Sequence, residues 1–454
     1  MESVTLSIRK THDCDVLVAG GGVAGISAAV NAAREGARVI LCESGGCLGG
    51  TATKGLVGPF MTCYDAEGKN QIIRGFFSEF VERMIAQGGA ISYENCPGND
   101  SYAGYRTKGH IGVTPFMAET MKRVAEDFCR EAGVRILYHT TLVACDTKGD
   151  RITTAYLANS EGIDAVTAKM FIDATGSAAL AAKAGAQTFR GDENGFLQTP
   201  SLFFIVDGVH TDELNAYMAE HPEMRERFYM DVFEKGMQDG SFPCGTQKLR
   251  IYERPDGSWL VNMAQTDNGV NELDAEALTE AEIDQRAQTV KIFEFLKRNI
   301  PPLRDIRYIQ SGTDLGVRES RRMMGRVLLT GKDVANSRYA EEQIAVCANS
   351  IDIHQSVGVQ YVAYKAEKNY YIPLSALISK DITNLLAAGK CLSADKYAHA
   401  AIRVMPPCFA MGEAAGIAAA LAVKANCAVA EVPVTAVQSR IRAHGGYLES
   451  GPPA

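Results

Sequence analysis

The feature that most constrains this 454-residue chain lies near its start. There an apolar run, a glycine turn, a helical stretch and a second apolar run follow in order: DVLVAG, GGVAG, ISAAVNAAREG and ARVILCE. The first run is short and unbroken, as a strand buried on both faces of a parallel sheet requires. Gly20, Gly22 and Gly25 form G-x-G-x-x-G between strand and helix. Gly20 makes the tight turn, Gly22 lets backbone approach a pyrophosphate, and Gly25 lets helix and strand pack closely. The helix N-terminus then offers unpaired N–H groups and a positive dipole to the phosphates. Glu43 closes the second strand 18 residues after Gly25, where a carboxylate accepts hydrogen bonds from a ribose diol. In this setting the pattern predicts a dinucleotide-binding α/β fold. Without it, the same glycines would make only a structural turn. Gly36 is placed to end the helix as its C′ residue.

The rest of the chain reads as further elements around this start. A second helix is predicted from Thr114–Pro115, an N-cap followed by proline at N1, to Gly133. RILYHTTLVACD, RITTAYLAN and DAVTAKMFIDATG read as three strands of a meander, the last returning toward the first sheet. From about Pro200 to Gln310, aromatics and charges rise. That region holds SLFFIVDG, one charged helix near 212–238, and a hairpin turning at Pro255–Asp256–Gly257. It closes with a helix that a Thr279–Glu282 capping box opens and Pro301 ends. Beyond Asp314 the chain is again rich in glycine and alanine. DITNLLAAGKCLSA reads as strand then turn, and a helix opens after Pro406 and Pro407. Small residues at Gly412, Ala414, Ala415, Gly416 and Ala418 let that helix sit close to another surface. The expected division is a dinucleotide-binding domain in two parts, 1–199 and 311–425. Between them lies an α+β substrate or cap domain over 200–310, and a C-terminal extension covers 426–454.

Composition removes several functions. A net charge of −8 without a basic block argues against nucleic acid as a partner. No apolar run is read as reaching the roughly 20 residues of a membrane span, so no membrane is expected. The twelve cysteines include no C-x-x-C pair, against zinc ribbons and iron–sulfur clusters, and no metal site is expected. The stretch MESVTLSIRKTHDCD lacks an apolar leader core, and with scattered cysteines this points to reduced thiols in the cytoplasm.

Beyond Glu43 the chain runs SGGCLGGTAT instead of entering a helix at once. This loop resembles the E-R-x-x-x-G-G-x-(A/S)-T segment of FAD-dependent oxidoreductases in the glutathione reductase and fumarate reductase superfamily. FIDATG (171–176) resembles their second FAD motif, and NLLAAGKC (384–391) their C-terminal one. LGVRESRRMMGRVLLTGKDV (315–334), SIDIH (350–354) and IRVMPPCFAMGEAAG (402–416) resemble signature segments of the FAD-dependent oxidoreductase family itself. The likeness covers nearly the whole chain and is weakest over residues 200–260. It implies a discontinuous Rossmann-like FAD domain of the glutathione reductase type, with the substrate domain inserted. It implies noncovalent FAD on Gly20, Gly22, Gly25, Glu43, Ser44, Gly49, Gly50, Thr51, Val143, Asp173, Thr175, Gly176, Gly389 and Met405. Ser177 departs from the family, where an acidic residue often follows that glycine. Residues 402–416 would bring a helix N-terminus to the flavin's pyrimidine edge, where its dipole stabilises negative charge. Only one complete dinucleotide fingerprint exists, whereas a dedicated NAD(P)H domain usually brings a second.

On this reading a hydride moves between flavin N5 and a small organic substrate, and the protein must manage one proton. The direction stays open: dehydrogenation of a C–OH, C–NH or CH–CH unit, or reduction of a C=C bond. Arg318 and Arg321 are candidates to grip a carboxylate, while with Arg322 and Glu319 they equally make a structural ion network. His354 follows Asp352 by two, the same face of a strand, so the imidazole is either an oriented acid–base or a satisfied core residue. His399 and Arg403, four apart, are further candidates, Arg403 as an anion anchor. Cys42 and Cys47 have redox-pair spacing but start too early in the fold. Cys408 follows Pro407 near a helix N-terminus, which would lower its pKa, while packing is the reading preferred for it. Tyr361, Tyr364, Tyr370 and Tyr371 line a pocket or pack a sheet, and His110 and Arg106 are weaker candidates. A rival reading is a flavin electron-transfer subunit working with a redox partner protein. A further one is a nucleotide-binding scaffold without redox activity. NAD(P)H remains a possible electron donor.

Overall fold

The computed structural model describes residue 5 and residues 7–61, 63–92, 113–224, 228–244, 249–354, 362–364 and 368–451. Its first unit begins β1 (Ile8–Ala19), α1 (Val23–Arg34), β2 (Val39–Cys42). It continues β3 (Arg135–Leu137), β4 (Thr141–Lys148), β5 (Arg151–Asn159), β6 (Gly162–Asp173). The sheet order is β3-β2-β1-β6-β5-β4, parallel from β3 through β6 and antiparallel beyond. This parallel core is the Rossmann-like sheet of an α/β fold. β6 is long enough to serve two partners on one edge. Its first half pairs with β5, and its second half pairs in parallel with Leu385–Ala387, with Ala387 opposite Asp173. Asn384 fixes that branch: its side-chain amide bonds Ile152 N and O at 2.9 Å each and Lys169 O at 3.0 Å. The apolar stretch of β1, Val16–Ala19, is buried on both faces, as its sequence predicted.

α1 ends where its glycine predicted. Gly36 has φ +89°, and its N–H bonds Ala33 O at 2.8 Å. Across α1 lies the helix Met405–Ala425. Its small residues bring backbone against backbone. A Cβ on Gly412 would sit 2.2 Å from Ala24 O, and one on Gly416 2.3 Å from Ala28 O. Ser27 Oγ donates to Phe409 O at 2.7 Å across this contact. By length and composition this 21-residue helix could cross a membrane, which corrects the reading that no such run exists. Its apolar surface is used inside the fold, where 72% of its most apolar stretch is buried.

A second, four-stranded antiparallel sheet has the order Arg307–Ser311, Phe204–Asp207, Trp259–Val261, Ile251–Glu253. With the helix Ala275–Asn299 it encloses a separate core around Trp259, Phe204, Phe233 and Phe295. The hairpin turns at Gly257 (φ +78°), and the long helix stops at Asn299 before Pro301, both as predicted.

Five local expectations are corrected. The second helix starts at Ala118, because Thr114 is held in a bridge with Phe60 (N···O 2.9 and 3.0 Å). The stretch 135–146 is two strands, broken where His139 takes φ +49°. The charged stretch 212–238 is two helices, Thr211–Glu220 and Met230–Gln238, because His221 before Pro222 leaves the helical region (φ −122°, ψ 54°). Asp274, not Thr279, caps the long helix, accepting from Glu276 N at 3.0 Å and Ala277 N at 3.2 Å. Thr279 lies one turn inside and donates to Ala275 O at 2.7 Å. Pro406 and Pro407 sit within the first turn of their helix, where missing N–H groups cost nothing, and do not precede it.

Candidate functional site

A cavity of about 380 Å³ opens where β1 gives way to α1. Gly20 turns the chain with φ +100°, and a Cβ there would sit 2.4 Å from Ala174 O. Gly25 is needed for packing, since its Cβ would fall 1.8 Å from Gly20 O. Gly22 differs from both. It caps α1 with ordinary extended backbone (φ −68°, ψ 178°), and a Cβ there would meet nothing within 4 Å. It borders open space in front of the helix N-terminus.

Glu43 is positioned by its own neighbours. Its Oε2 accepts from Gly21 N at 2.8 Å, and its Oε1 from Gly45 N at 2.8 Å and Lys54 Nζ at 3.3 Å. Lys54 also pairs with Asp314 at 3.2 Å, so the loop after β2 is tied to the chain's second half. The loop's Gly49 (φ +109°) and Gly50 (φ +55°) bend it back onto Gly22.

The cavity gathers Gly20, Gly22, Glu43, Ser44, Gly49, Gly50, Thr51, Thr175, Gly176, Gly389 and Met405, all expected at a cofactor. It does not gather Gly25, Val143 or Asp173. Val143 is 38% exposed, because strand alternation turns Leu142 inward and Leu142 lines the cavity instead. Asp173 is fully buried behind the wall. Its carboxylate accepts from Thr175 Oγ1 at 2.7 Å and Ala181 N at 2.9 Å, which holds the turn that carries Thr175 and Gly176. Burial raises its pKa above the ordinary carboxylate value, against these hydrogen bonds.

A second cavity, about 150 Å³, adjoins the first, and Thr51, Lys390, Arg403 and Met405 line both. It brings together three of the five candidates for chemistry: Arg318, His354 and Arg403. His354 follows the strand Ile351–Ile353, and its Nε2 lies 3.0 Å from Asp352 Oδ2. Its pKa is pushed down to about 4, first by burial and then by the nearby Arg318 charge, with Asp352 opposing. Arg318 Nη1 donates to Thr199 O at 2.5 Å. Arg403 Nη2 donates to Asp352 O at 3.0 Å.

Arg321 and His399 stand outside both cavities. Arg321 Nε donates to Ser177 O at 3.1 Å. His399 is fully buried in the helix Lys396–Ile402, with Nε2 2.9 Å from Lys390 O, and burial holds its pKa well below the ordinary imidazole value. It sits behind Lys390. Lys390 itself, with Tyr252 and Asn262, was missed by sequence reasoning. The signal for Lys390 was its place directly after Gly389. Tyr252 and Asn262 lie where no motif reaches.

The cysteines carry corrections too. Burial pushes the Cys408 thiol up to about 12, which overrides the lowering expected from the helix N-terminus. Cys42 is likewise pushed up to about 12, and Cys47 Sγ contacts Thr53 Oγ1 at 3.8 Å. Tyr370 and Tyr371 pack the core. Tyr361, Arg106, His110 and the Tyr364 side chain lie outside the described residues. Among the described residues, no group of three or more His, Cys, Asp or Glu side chains is placed to hold a metal ion.

Residues 15–441 match the family model described as FAD dependent oxidoreductase. No curated protein sequence matches the chain. Solved structures of similar shape include a geranylgeranyl bacteriochlorophyll reductase-like protein of Thermoplasma acidophilum, at 12% identity and TM-score 0.46, covering 95% of this chain and 84% of that one. L-Amino acid deaminase of Proteus myxofaciens aligns at 12% identity and TM-score 0.47, over 94% of each chain. L-Proline dehydrogenase of P. horikoshii aligns at 10% identity and TM-score 0.43, over 96% of this chain and 100% of that one.

Proposed function

Because this chain belongs to the FAD-dependent oxidoreductase family, we propose that it holds FAD noncovalently in the first cavity and oxidises a small organic molecule held in the second. One observation carries this reading: the two cavities share Thr51, Lys390, Arg403 and Met405, so an occupant of one borders an occupant of the other. A pure electron-transfer subunit would need no second cavity. Residues 200–310 contribute Phe203, Tyr252 and Asn262 to its wall, which supports reading them as a substrate unit inserted between two parts of the FAD-binding unit.

The residues of the first cavity fit this cofactor. The N-terminal turn of α1 and the open space beside Gly22 suit a pyrophosphate, and Glu43 suits a ribose diol. Cys42 and Cys408 line it, but thiols with pKa near 12 carry little of the thiolate that covalent attachment needs. Gly22→Val is expected to weaken FAD binding about 10–100-fold, because overpacking a close contact costs about 1–3 kcal/mol. A Cβ there meets no protein atom, so the cost to the apo-protein should be limited to the poorer helix cap, about 1 kcal/mol. Equilibrium FAD titration and urea melts of both proteins check this. Unchanged FAD affinity would move the pyrophosphate elsewhere.

When bound, FAD supplies the hydride acceptor at N5. The chain's part is to bind, orient and move one proton. His354 Nε2–H donates to Asp352, which leaves Nδ1 as the ring's proton acceptor. With its pKa pushed down to about 4, the imidazole rests neutral near pH 7, in the form that can accept a proton and not as the imidazolium that would supply one. This favours oxidation of a C–OH or C–NH unit over reduction of a C=C bond, which needs a proton supplied. Arg318 and Arg403, fixed on the carbonyls of Thr199 and Asp352, orient the substrate.

The test is anaerobic reduction of the holo-protein, followed by the flavin band near 450 nm. Small hydroxy and amino compounds, NADH and NADPH are offered separately. Acid denaturation should release free FAD. Bleaching by a small donor, with no second protein present, supports the proposal. Bleaching only by NAD(P)H, followed by turnover of enones, would reverse the direction. Reduction only by a partner protein would replace the reading with the electron-transfer one.

A further inference from the structure

Among the described residues, three cationic side chains line the first cavity: Lys54, Lys390 and Arg403. Two of them meet carboxylates that line the cavities themselves. Lys54 lies 3.3 Å from Glu43 and 3.2 Å from Asp314, both on the wall of the first cavity. Arg403 lies 3.5 Å from Asp352, on the wall of the second. Lys390 is arranged differently. Its carboxylate partner, Glu272, stands 3.5 Å away and lines neither cavity. The pair is therefore oriented, with its ammonium toward the shared space and its carboxylate behind. Glu272 Oε1 is buried with no hydrogen-bond partner among the described residues, so its charge is offset chiefly by Lys390. The ammonium is held at the junction of the two cavities. The lysine stem crosses Gly176 of the first cavity, where a Cβ would lie 2.7 Å from Lys390 Cε. Nζ donates to Val317 O at 2.8 Å, and Val317 lines the second cavity.

We propose that Lys390 and Glu272 act as an opposed pair that sets how readily the flavin is reduced, the ammonium favouring the reduced ring and the carboxylate behind it limiting that effect. This rests on reading the first cavity as an FAD site whose reactive end borders the second. Oxidation of a substrate passes two electrons and one hydrogen to the cofactor as a hydride, while the O–H or N–H proton of the substrate goes to a base. The ring thereby gains one negative charge. A cation already fixed beside it stabilises that charge without rearrangement. Arg403 is less suited to this part, because the carboxylate of Asp352 shares its wall and opposes its charge at similar range.

The experiment equilibrates FAD-loaded protein with a two-electron reference dye under anaerobic conditions, while xanthine and xanthine oxidase supply electrons slowly to both. The readout is the ratio of reduced to oxidised flavin at a fixed ratio of reduced to oxidised dye, with no substrate present. Lys390→Met should lower that ratio about tenfold or more, and Glu272→Gln should raise it about threefold or more, the larger effect belonging to the nearer charge. Opposite signs separate charge from packing, since loosened packing gives no reason for the two variants to diverge. The Glu272 arm stands by itself if Lys390→Met does not fold or does not hold FAD. A Lys390→Met ratio equal to or above wild type, or a Glu272→Gln ratio equal to or below it, overturns the inference. Failure of the wild-type protein to take up FAD would instead defeat the reading beneath it.

Discussion

A His354→Asn protein is expected to keep its FAD and to lose about 10²–10⁴-fold in turnover, the usual contribution of a positioned proton acceptor. Asparagine cannot take up a proton near neutral pH, and its amide, at the place of Nδ1, does not reproduce the Nε2 bond to Asp352. The pH dependence of the wild type is the sharper check. An ordinary imidazole is half protonated near pH 6.5, so a histidine base would lose activity through that region. His354, pushed down to about 4, stays neutral, and kcat/KM should remain level from pH 8 to about pH 5 on this limb. Stability moves the other way. The folded pKa lies below the unfolded one, so the stabilisation present above pH 6.5 is lost as pH falls toward 4, by about 1.4 kcal/mol per unit from this group. In the variant that part of the acid slope in urea melts should vanish. Turnover unchanged by the substitution would remove His354 from the mechanism.

Arg322→Met is expected to destabilise the fold by about 3–5 kcal/mol, a large share of the roughly 5–15 kcal/mol that holds a typical protein together. Arg322 and Glu319 are both fully buried, 3.3 Å apart. Arg322 also donates to Gly191 O at 2.5 Å and lies over the Phe189 ring at 4.8 Å. Burial lowers the guanidinium's pKa while Glu319 raises it. Methionine fills much of the volume but strands the Glu319 carboxylate in apolar surroundings. The double variant Arg322→Met, Glu319→Leu removes both charges and should recover most of the loss, since replacing a whole buried pair is often near neutral. Urea melts of the single and double variants check both statements. Recovery of stability should not restore turnover. Glu319 accepts from Gln198 N at 3.2 Å, and Gln198 Oε1 lies 3.3 Å from His354 N, so the pair also braces the backbone at His354. A double variant no more stable than the single one would show that the pair acts through packing alone.

What the sequence disclosed follows from where geometry is local. The three glycines, Glu43 and Gly36 act within one strand–turn–helix unit, where a single backbone conformation decides each role. Asp352 and His354 were legible as a pair because strand alternation puts positions two apart on one face. The same alternation turns the Leu142 side chain, and not that of Val143, onto the cavity wall, since a motif gives a position but not which side of the strand it faces. Asp173 sits in a motif near the cofactor without touching the cavity, holding the loop that does. Thr279 has the right residues around it for a cap, but Asp274 lies one turn earlier and wins. Lys390 had a signal in its place directly after Gly389, whereas Tyr252 and Asn262 were not legible for a different reason. They join Lys390 only when residues from two sheets converge, and no spacing along the chain records that. Arg321 and Arg318 are three apart, yet one faces Ser177 and the other the cavity, a division that depends on the loop's course.

The pairing of Leu385–Ala387 with β6 and of the Met405–Ala425 helix with α1 has a consequence for how this protein is made. The phosphate-binding turn is synthesised long before Gly389, Lys390, Arg403 and Met405, the far wall of the same cavity. Such long-range closure is slow to find and leaves the early sheet edge and the apolar face of α1 exposed until then. Cofactor loading therefore waits on the synthesis of that far wall. A nascent chain stalled before the Met405–Ala425 helix would carry every phosphate-binding glycine of the fingerprint and still have no enclosed site for FAD.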